Sequence, residues 1–179
     1  MSFSEFTAED ERLIRDASED LFKLAGKRCR NDEEMDLVHK AFDFANEAHH
    51  NIRRRSGEPY MLHPIAVASI VVSEIGLGCK SICAALLHDV VEDTSYTVED
   101  LQNLFGQKIA TLVDGLTKIK TVLDNEDRKG SALSTESLQA ENFKRILLTL
   151  NDDVRVVLIK LADRMHNCRT IEFMPEHKR

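Results

Sequence analysis

Three features are missing from this 179-residue sequence, and each absence argues against a class of protein. No apolar run approaches the roughly 18 residues of a membrane-spanning helix, so we expect no membrane contact. The acidic first 16 residues lack the pattern of a secretory signal peptide. A net charge of −7 argues against a general nucleic-acid binder, so nucleic acid is not an expected partner.

Cysteine is scarce and has no metal-binding spacing. None of the four forms a CxxC pair: they are Cys29, Cys79, Cys83 and Cys168. Cys79 and Cys83 are four residues apart, which is a helical spacing, so we interpret them as small core residues. Free thiols and the absence of a signal pattern together predict a cytoplasmic protein in a reducing compartment.

The residues that are present predict helices. Apolar content of 42% and charged content of 31% are typical of a globular protein of one domain. Apolar residues recur at helical spacing, and glycines mark helix ends. Thr7 with Asp10 and Thr97 with Asp100 are predicted to cap two of the helices. The predicted helices cover about 7–25, 35–48, 64–76, 80–93, 97–105, 107–121, 139–150 and 152–171. We therefore predict an all-α fold.

Two segments depart from this pattern. Residues 124–138 are polar and have no apolar periodicity, which predicts a surface loop. The last residues, "MPEHKR", resemble the opening turn of a further helix, so we expect the sequence to be cut from a longer protein.

The segment "CAALLHDVVEDT", residues 83–94, carries the most informative chemistry. An apolar run ends in His88, Asp89, Glu92 and Asp93, and no Lys or Arg is close in the sequence. A buried charge needs a partner, and a metal ion is one that the sequence does not encode. On a helix, the adjacent His88 and Asp89 point about 100° apart and can reach one ion.

Two further residues are candidate ligands. His63 directly precedes Pro64, and Asp163 interrupts the apolar run "VVLIKLAD". Taken alone, His63 is more simply a helix cap and Asp163 a solvated or ion-paired residue. Taken with His88 and Asp89, they give two imidazoles and two carboxylates, a donor set that suits Mn, Fe or Zn.

Four blocks of the sequence resemble a known family. "HPIAVASIV", "AALLHDVVEDT", "LVDGLTKI" and "IKLADRMHNCRT" resemble the HD-domain hydrolase half of the RelA/SpoT homologues, enzymes that make and degrade the alarmone (p)ppGpp. The resemblance runs from about residue 35 to the C-terminus. It implies an HD-domain helical bundle over residues 31–179, truncated at its C-terminal end, preceded by an amphipathic helix and linker over residues 1–30. It also implies synthetase and regulatory domains further along the parent chain.

The resemblance assigns roles to eleven residues of this sequence. The implied ligands of one Mn²⁺ are His63, His88, Asp89 and Asp163. The pair implied to position and activate the attacking water is Glu92 and Asp93. The residues implied to contact the guanine nucleotide are Arg54, Arg55, Ser56, Asn167 and Thr170. Arg55 stands where the family usually has Lys, which keeps the charge but changes the geometry of the contact.

The implied activity is metal-dependent hydrolysis of the 3′-pyrophosphate of (p)ppGpp to GDP or GTP and pyrophosphate. Three alternatives stay open at this point. A generic HD nucleotide phosphohydrolase would share the metal site and act on other nucleotides. A non-catalytic module would sense nucleotide without turnover. A salt-bridged acidic core would bind no metal at all.

Overall fold

The structure is a computed structural model, and it describes residues 2–3, 5–128 and 153–170. The described part is helical apart from one pair of two-residue strands, which confirms the predicted all-α fold class; a π-helical segment, Val71–Ile75, continues the third α-helix. The helices are α1 (Ala8–Ala25), α2 (Asp32–Ala48), α3 (Leu62–Ile70), α4 (Cys79–Leu87), α5 (Val90–Asp93), α6 (Val98–Phe105), α7 (Gln107–Arg128) and α8 (Val154–Arg169). Strand β1 (Ser2–Phe3) pairs antiparallel with β2 (Ile52–Arg53), so that Ser2 lies opposite Arg53.

Two helix starts follow directly from local sequence. Thr7 and Asp10 form a capping box at the start of α1, and Thr97 and Asp100 form another at the start of α6. In each, the threonine side chain accepts from a backbone N–H of the first turn while the aspartate accepts from the threonine N–H. These predicted caps are confirmed.

Three predicted boundaries are wrong. The helix that contains Pro64 begins at Leu62, so His63 lies inside its first turn; proline is tolerated there because its missing N–H would have no partner. The helix predicted over 80–93 divides into α4 and α5, with His88 and Asp89 between them. Asp89 has φ −99° and ψ −5°, a turn conformation that ends the helical hydrogen-bonding pattern.

The third wrong boundary concerns the predicted polar loop. Helix α7 continues to Arg128, so residues 124–128 are helical. Apolar periodicity reports packing rather than helix propensity, and a polar stretch can therefore continue a helix. The remainder of the predicted loop, residues 129–138, and the predicted helix 139–150 lie outside the described residues.

Helix α4 lies at the centre of the molecule. Every one of its residues except Lys80 is buried, and it packs against α2, α3 and α7. Helix α8 packs against α3 and α7. The start of α3, the end of α4 and the middle of α8 therefore meet, and this meeting point positions the candidate site. No helix of the described ranges combines the length and apolarity that a membrane span requires.

Candidate metal centre and its cleft

The four predicted ligands come together from three parts of the chain. His63 lies on α3, His88 and Asp89 lie in the turn between α4 and α5, and Asp163 lies on α8. Ligand atoms of His63, His88 and Asp89 are all within 4.8 Å of one another. Asp163 Oδ1 is 3.2 Å from His63 Nε2. Each of the four residues is at most 6% exposed, so two carboxylates are removed from water here.

His88 presents one nitrogen to this cluster. Its Nδ1 is 2.6 Å from the carbonyl oxygen of Ala85, and a carbonyl only accepts, so Nδ1 carries a hydrogen and donates. Its Nε2 lies 3.0 Å from Asp89 Oδ2 but makes no hydrogen bond within the described structure. Burial disfavours the charged imidazole, but the Asp89 and Asp163 carboxylates and the Ala85 carbonyl together outweigh burial and raise the pKa of His88 to about 9. A buried nitrogen without a hydrogen bond, beside a carboxylate and a second imidazole, fits a metal ligand.

His63 is oriented through a second histidine. His63 Nδ1 lies 2.8 Å from His166 Nδ1, so one of these nitrogens donates to the other. Burial and the neighbouring His63 lower the pKa of His166 to about 4, which makes His166 a neutral imidazole. Metal binding would need the lone pair of His63 Nε2, which faces Asp163, and in that state the shared hydrogen lies on His63 Nδ1 and His166 Nδ1 accepts it.

Two lysines also reach the acidic cluster. Lys120 of α7 has its Nζ 3.4 Å from Asp89 Oδ1 and forms an ion pair with Glu92. Lys160 of α8 has its Nζ 2.6 Å from Asp163 Oδ2. No Lys or Arg is close to the acids in the sequence, and these two cations come instead from helices distant in sequence. They balance part of the negative charge but leave His88 Nε2 without a hydrogen bond.

A cleft of about 240 Å³ opens above the cluster. Its walls are mostly polar: Arg54, Tyr60, His63, Asp89, Lys120, Lys160, Asp163, Arg164 and Asn167. Four of these nine side chains are cations, in a chain whose net charge is −7. This concentration of positive charge suits an anionic ligand such as a phosphorylated nucleotide.

The two predicted acids occupy different positions. The Glu92 side chain is 19% exposed and points toward Lys120. Burial raises the pKa of Glu92 above its ordinary value, although Lys120 opposes the shift. Asp93 Oδ2 instead faces Nε2 of His49, at 3.6 Å.

The predicted substrate residues divide into two groups. Arg54 donates to Asn167 Oδ1 at 3.0 Å, and Asn167 donates to Asp163 Oδ1 at 3.0 Å, so both stand beside the ligand cluster. Arg55 and Ser56 are exposed and do not line the cleft. The hydroxyl of Thr170 donates to the carbonyl of His166, at 3.0 Å, and does not line it either. Contact between these three residues and a nucleotide remains a prediction.

Sequence reasoning missed several residues of this site. The Tyr60 hydroxyl donates to Asp89 Oδ2, and its ring stacks on that of His49 with centroids 4.7 Å apart. Lys160 had a signal, since a lysine inside the apolar run "VVLIKLAD" is as conspicuous as Asp163. Lys120 had none, because only the packing of α7 against α4 brings it to the acids.

A second cluster of metal-binding residue types lies apart from this site. Ligand atoms of Cys29, Glu34 and Cys79 fall within 4.8 Å of one another, which the spacing of the cysteines did not indicate. The Glu34 carboxylate is already held by Arg30, whose guanidinium nitrogens lie 2.6 and 3.0 Å from Oε1. The Cys79 thiol donates to the Glu34 carbonyl. These partners account for the cluster as part of the core.

Comparisons with known proteins give consistent findings. The family model described as HD domain matches residues 41–179. The GTP pyrophosphokinase of Myxococcus xanthus is 44% identical over 147 residues, and the GTP pyrophosphokinase rsh of Brucella melitensis is 42% identical over 153 residues. These alignments cover 82% and 86% of this chain but 19% of each relative.

One solved structure is also similar. It is that of a metazoan ortholog of SpoT that hydrolyzes ppGpp and plays a role in starvation responses. It is 29% identical to this chain, with a TM-score of 0.59, over 76% of this chain and 70% of the other.

Proposed function

Because the chain belongs to the HD-domain family, among the RelA/SpoT homologues, we propose that it hydrolyses the 3′-pyrophosphate of (p)ppGpp with Mn²⁺ as cofactor. The products are GDP or GTP and pyrophosphate. One observation carries the proposal: a buried cluster of two imidazoles and two carboxylates lies against a cleft that four cations line.

The metal ligands in this proposal are His63, His88, Asp89 and Asp163. Their fit rests on His88 Nε2, a buried nitrogen without a hydrogen bond, and on the mixed nitrogen and oxygen donor set. When bound, a divalent ion lowers the pKa of the attacking water and shields the charge of the phosphates. Fe or Zn would suit the same donors, so metal analysis of the purified protein tests the choice of Mn²⁺.

The surrounding side chains supply the rest of the chemistry. Glu92 accepts the proton of the water, a role that its raised pKa suits because a general base works best when its pKa is close to the working pH. Lys120, Lys160 and Arg54 neutralise the leaving pyrophosphate. Arginine can hold two phosphate oxygens at once, whereas lysine acts as a point charge.

A substrate panel tests the proposal and separates it from the alternatives. With Mn²⁺ present, we expect pyrophosphate release from ppGpp and pppGpp, and none from dGTP or a cyclic nucleotide. Turnover of the latter pair alone would instead identify a generic HD phosphohydrolase. Binding of ppGpp without any release would identify a nucleotide-sensing module.

The similarity to proteins named GTP pyrophosphokinase concerns about a fifth of their length. We propose that the parent protein also synthesises (p)ppGpp, through a domain outside this chain. Incubation of the 179-residue chain with ATP and GTP should therefore yield no ppGpp. Formation of ppGpp by this chain would contradict the assignment of synthesis to another domain.

A further inference from the structure

We propose that His49 is a positioning residue for the reaction and holds the Asp93 carboxylate in place through a hydrogen shared between His49 Nε2 and Asp93 Oδ2. The inference rests on the proposed function, because only hydrolysis gives Asp93 a role in positioning water. None of the roles assigned above involves His49, although it is 1% exposed.

One nitrogen of His49 has a fixed partner. His49 follows the last residue of α2, and its Nδ1 is 2.9 Å from the carbonyl oxygen of Ala45. Because a carbonyl only accepts, Nδ1 carries a hydrogen and donates. This bond orients the ring and directs Nε2 away from α2.

The other nitrogen faces Asp93. His49 Nε2 and Asp93 Oδ2 are 3.6 Å apart, and each is buried without a hydrogen-bond partner within the described ranges. Two lone pairs facing each other in a buried space repel, whereas one hydrogen between them creates a donor and an acceptor. A small approach of α5 then gives an ordinary N–H···O distance of about 2.7–3.2 Å.

The pair is joined to the ligand cluster through Tyr60. The Tyr60 ring stacks on His49 at an interplanar angle of 28°, and its hydroxyl donates to Asp89. Asp93 also lies close enough to Tyr60 to raise its pKa, after burial and Asp89. Neither His49 nor Asp93 is among the residues that line the cleft, whereas Tyr60 is, so Tyr60 links the pair to the cleft.

Two polar replacements of His49 distinguish a role in positioning Asp93 from a purely structural role of His49. In His49→Gln the longer side chain places its amide near the position of Nε2, where it can donate to Asp93. In His49→Asn the shorter amide reaches only the position of Nδ1 and keeps the bond to Ala45. The neighbouring His50, which is exposed, provides the matched control His50→Gln.

The measurements are kcat and KM for pyrophosphate release from ppGpp, together with Mn²⁺ affinity. We expect His49→Asn to lower kcat about 10- to 100-fold, the effect typical of lost supporting contacts, with KM and metal affinity close to wild type. We expect His49→Gln to keep most of the activity and His50→Gln to keep all of it. In an Asp93→Asn background, His49→Asn should cause no further loss.

A structural role for His49 predicts the reverse order, with His49→Asn active and His49→Gln impaired, and that result would overturn the inference. So would full additivity with Asp93→Asn. If the wild type releases pyrophosphate and both His49 variants release it equally fast, this inference is overturned and the proposed function stands. Absence of release by the wild type would overturn the proposed function and this inference with it.

Discussion

At the scale of single residues, the candidate site must balance the charge of its buried carboxylates. Asp89 and Asp163 are each 6% exposed, and an ionised carboxylate is stable there only with partners. Lys120 pairs with both Asp89 and Glu92, and Lys160 pairs with Asp163, so three carboxylates share two lysines and the proposed ion would supply further positive charge. Both lysines also line the cleft.

The Tyr60→Phe variant tests whether the Tyr60 hydroxyl supports the metal-ligand cluster. Tyr60→Phe removes the hydroxyl that donates to Asp89 and keeps the ring that stacks on His49. We expect Mn²⁺ affinity to fall by about 10- to 100-fold, because supporting hydrogen bonds orient metal ligands. Isothermal titration with Mn²⁺ measures this.

The control for this prediction is Tyr96→Phe, since Tyr96 is 41% exposed and packs on Phe44 away from the cluster. We expect its Mn²⁺ affinity to be unchanged. Equal affinities of wild type and Tyr60→Phe would show that the hydroxyl does not support Asp89.

Residue types predicted the ligand set, but they could not predict its surroundings. An adjacent His and Asp at the end of an apolar run can be recognised from the sequence alone. Lys120 is 31 residues from Asp89, and His49 is 44 residues from Asp93, so only packing shows these pairs. Arg53, which directly precedes Arg54 and Arg55, binds Asp10 of α1 through two hydrogen bonds, and the sequence does not indicate this pair either.

At the scale of elements, α7 and α8 pack closely against each other at Gly115, and each helix carries one lysine of the cleft. An added Cβ at Gly115 of α7 would lie 2.9 Å from Val156 Cγ2 of α8, closer than packed carbons approach. Both Lys120 and Lys160 are carried by this helix pair, so their separation depends on the same contact.

Gly115→Ala tests this contact, because its effect on the free energy of unfolding should have opposite signs in two backgrounds. In the wild-type background we expect a lower free energy of unfolding, because overpacking costs about 1–3 kcal/mol and exceeds the gain of helix propensity. In a Val156→Ala background the clash is gone, and Gly115→Ala should stabilise by about 1 kcal/mol. Urea denaturation of the four proteins measures both effects. Stabilisation in both backgrounds would show that α7 and α8 have room to separate.

The start of α8 gives a prediction for pH dependence. Asp153 caps this helix, and its hydrogen bonds with Arg155, against the effect of burial, lower its pKa to about 2. A carboxyl group with a lowered folded pKa stabilises the protein above its unfolded pKa of about 3.9 and loses that effect as pH falls toward 2.

Asp153→Asn keeps the capping oxygen and removes the charge. We expect the variant to be less stable than wild type by about 1–2 kcal/mol near pH 7, with the difference vanishing near pH 2. Thermal unfolding at several pH values measures the difference. A difference that does not change with pH would exclude the charge as its cause.

Elements were predicted best where local chemistry decides them. The capping boxes at Thr7 and Thr97 depend on four neighbouring residues, and the sequence was sufficient for both. The break at His88 and Asp89 could not be predicted, because residues 80–93 contain no glycine or proline that would mark it.

At the scale of the whole molecule, the protein is acidic, but four cationic side chains line its cleft. The net charge of −7 lies elsewhere on the chain, while four cations converge on one opening. The proposed function needs an anionic substrate and a divalent ion at the same place, and Asp89 and Asp163 line the same cleft as the four cations.

Metal binding should stabilise the whole fold, because the ligands come from three separate helical regions. At a Mn²⁺ concentration of about 100 times Kd, linkage gives about 2.7 kcal/mol of stabilisation. We expect Mn²⁺ to raise the Tm of the wild type and to leave that of Asp89→Ala unchanged. A rise of equal size in both proteins would place the ion at another site.

The most direct test of the account is pyrophosphate release from ppGpp by the wild type, Asp89→Ala and Glu92→Gln, with Mn²⁺ and with EDTA. The account predicts release by the wild type with Mn²⁺ only. It predicts loss of release in Asp89→Ala together with weakened metal binding, and loss in Glu92→Gln with metal binding retained. Wild-type release in EDTA, or full activity of either variant, would contradict the account.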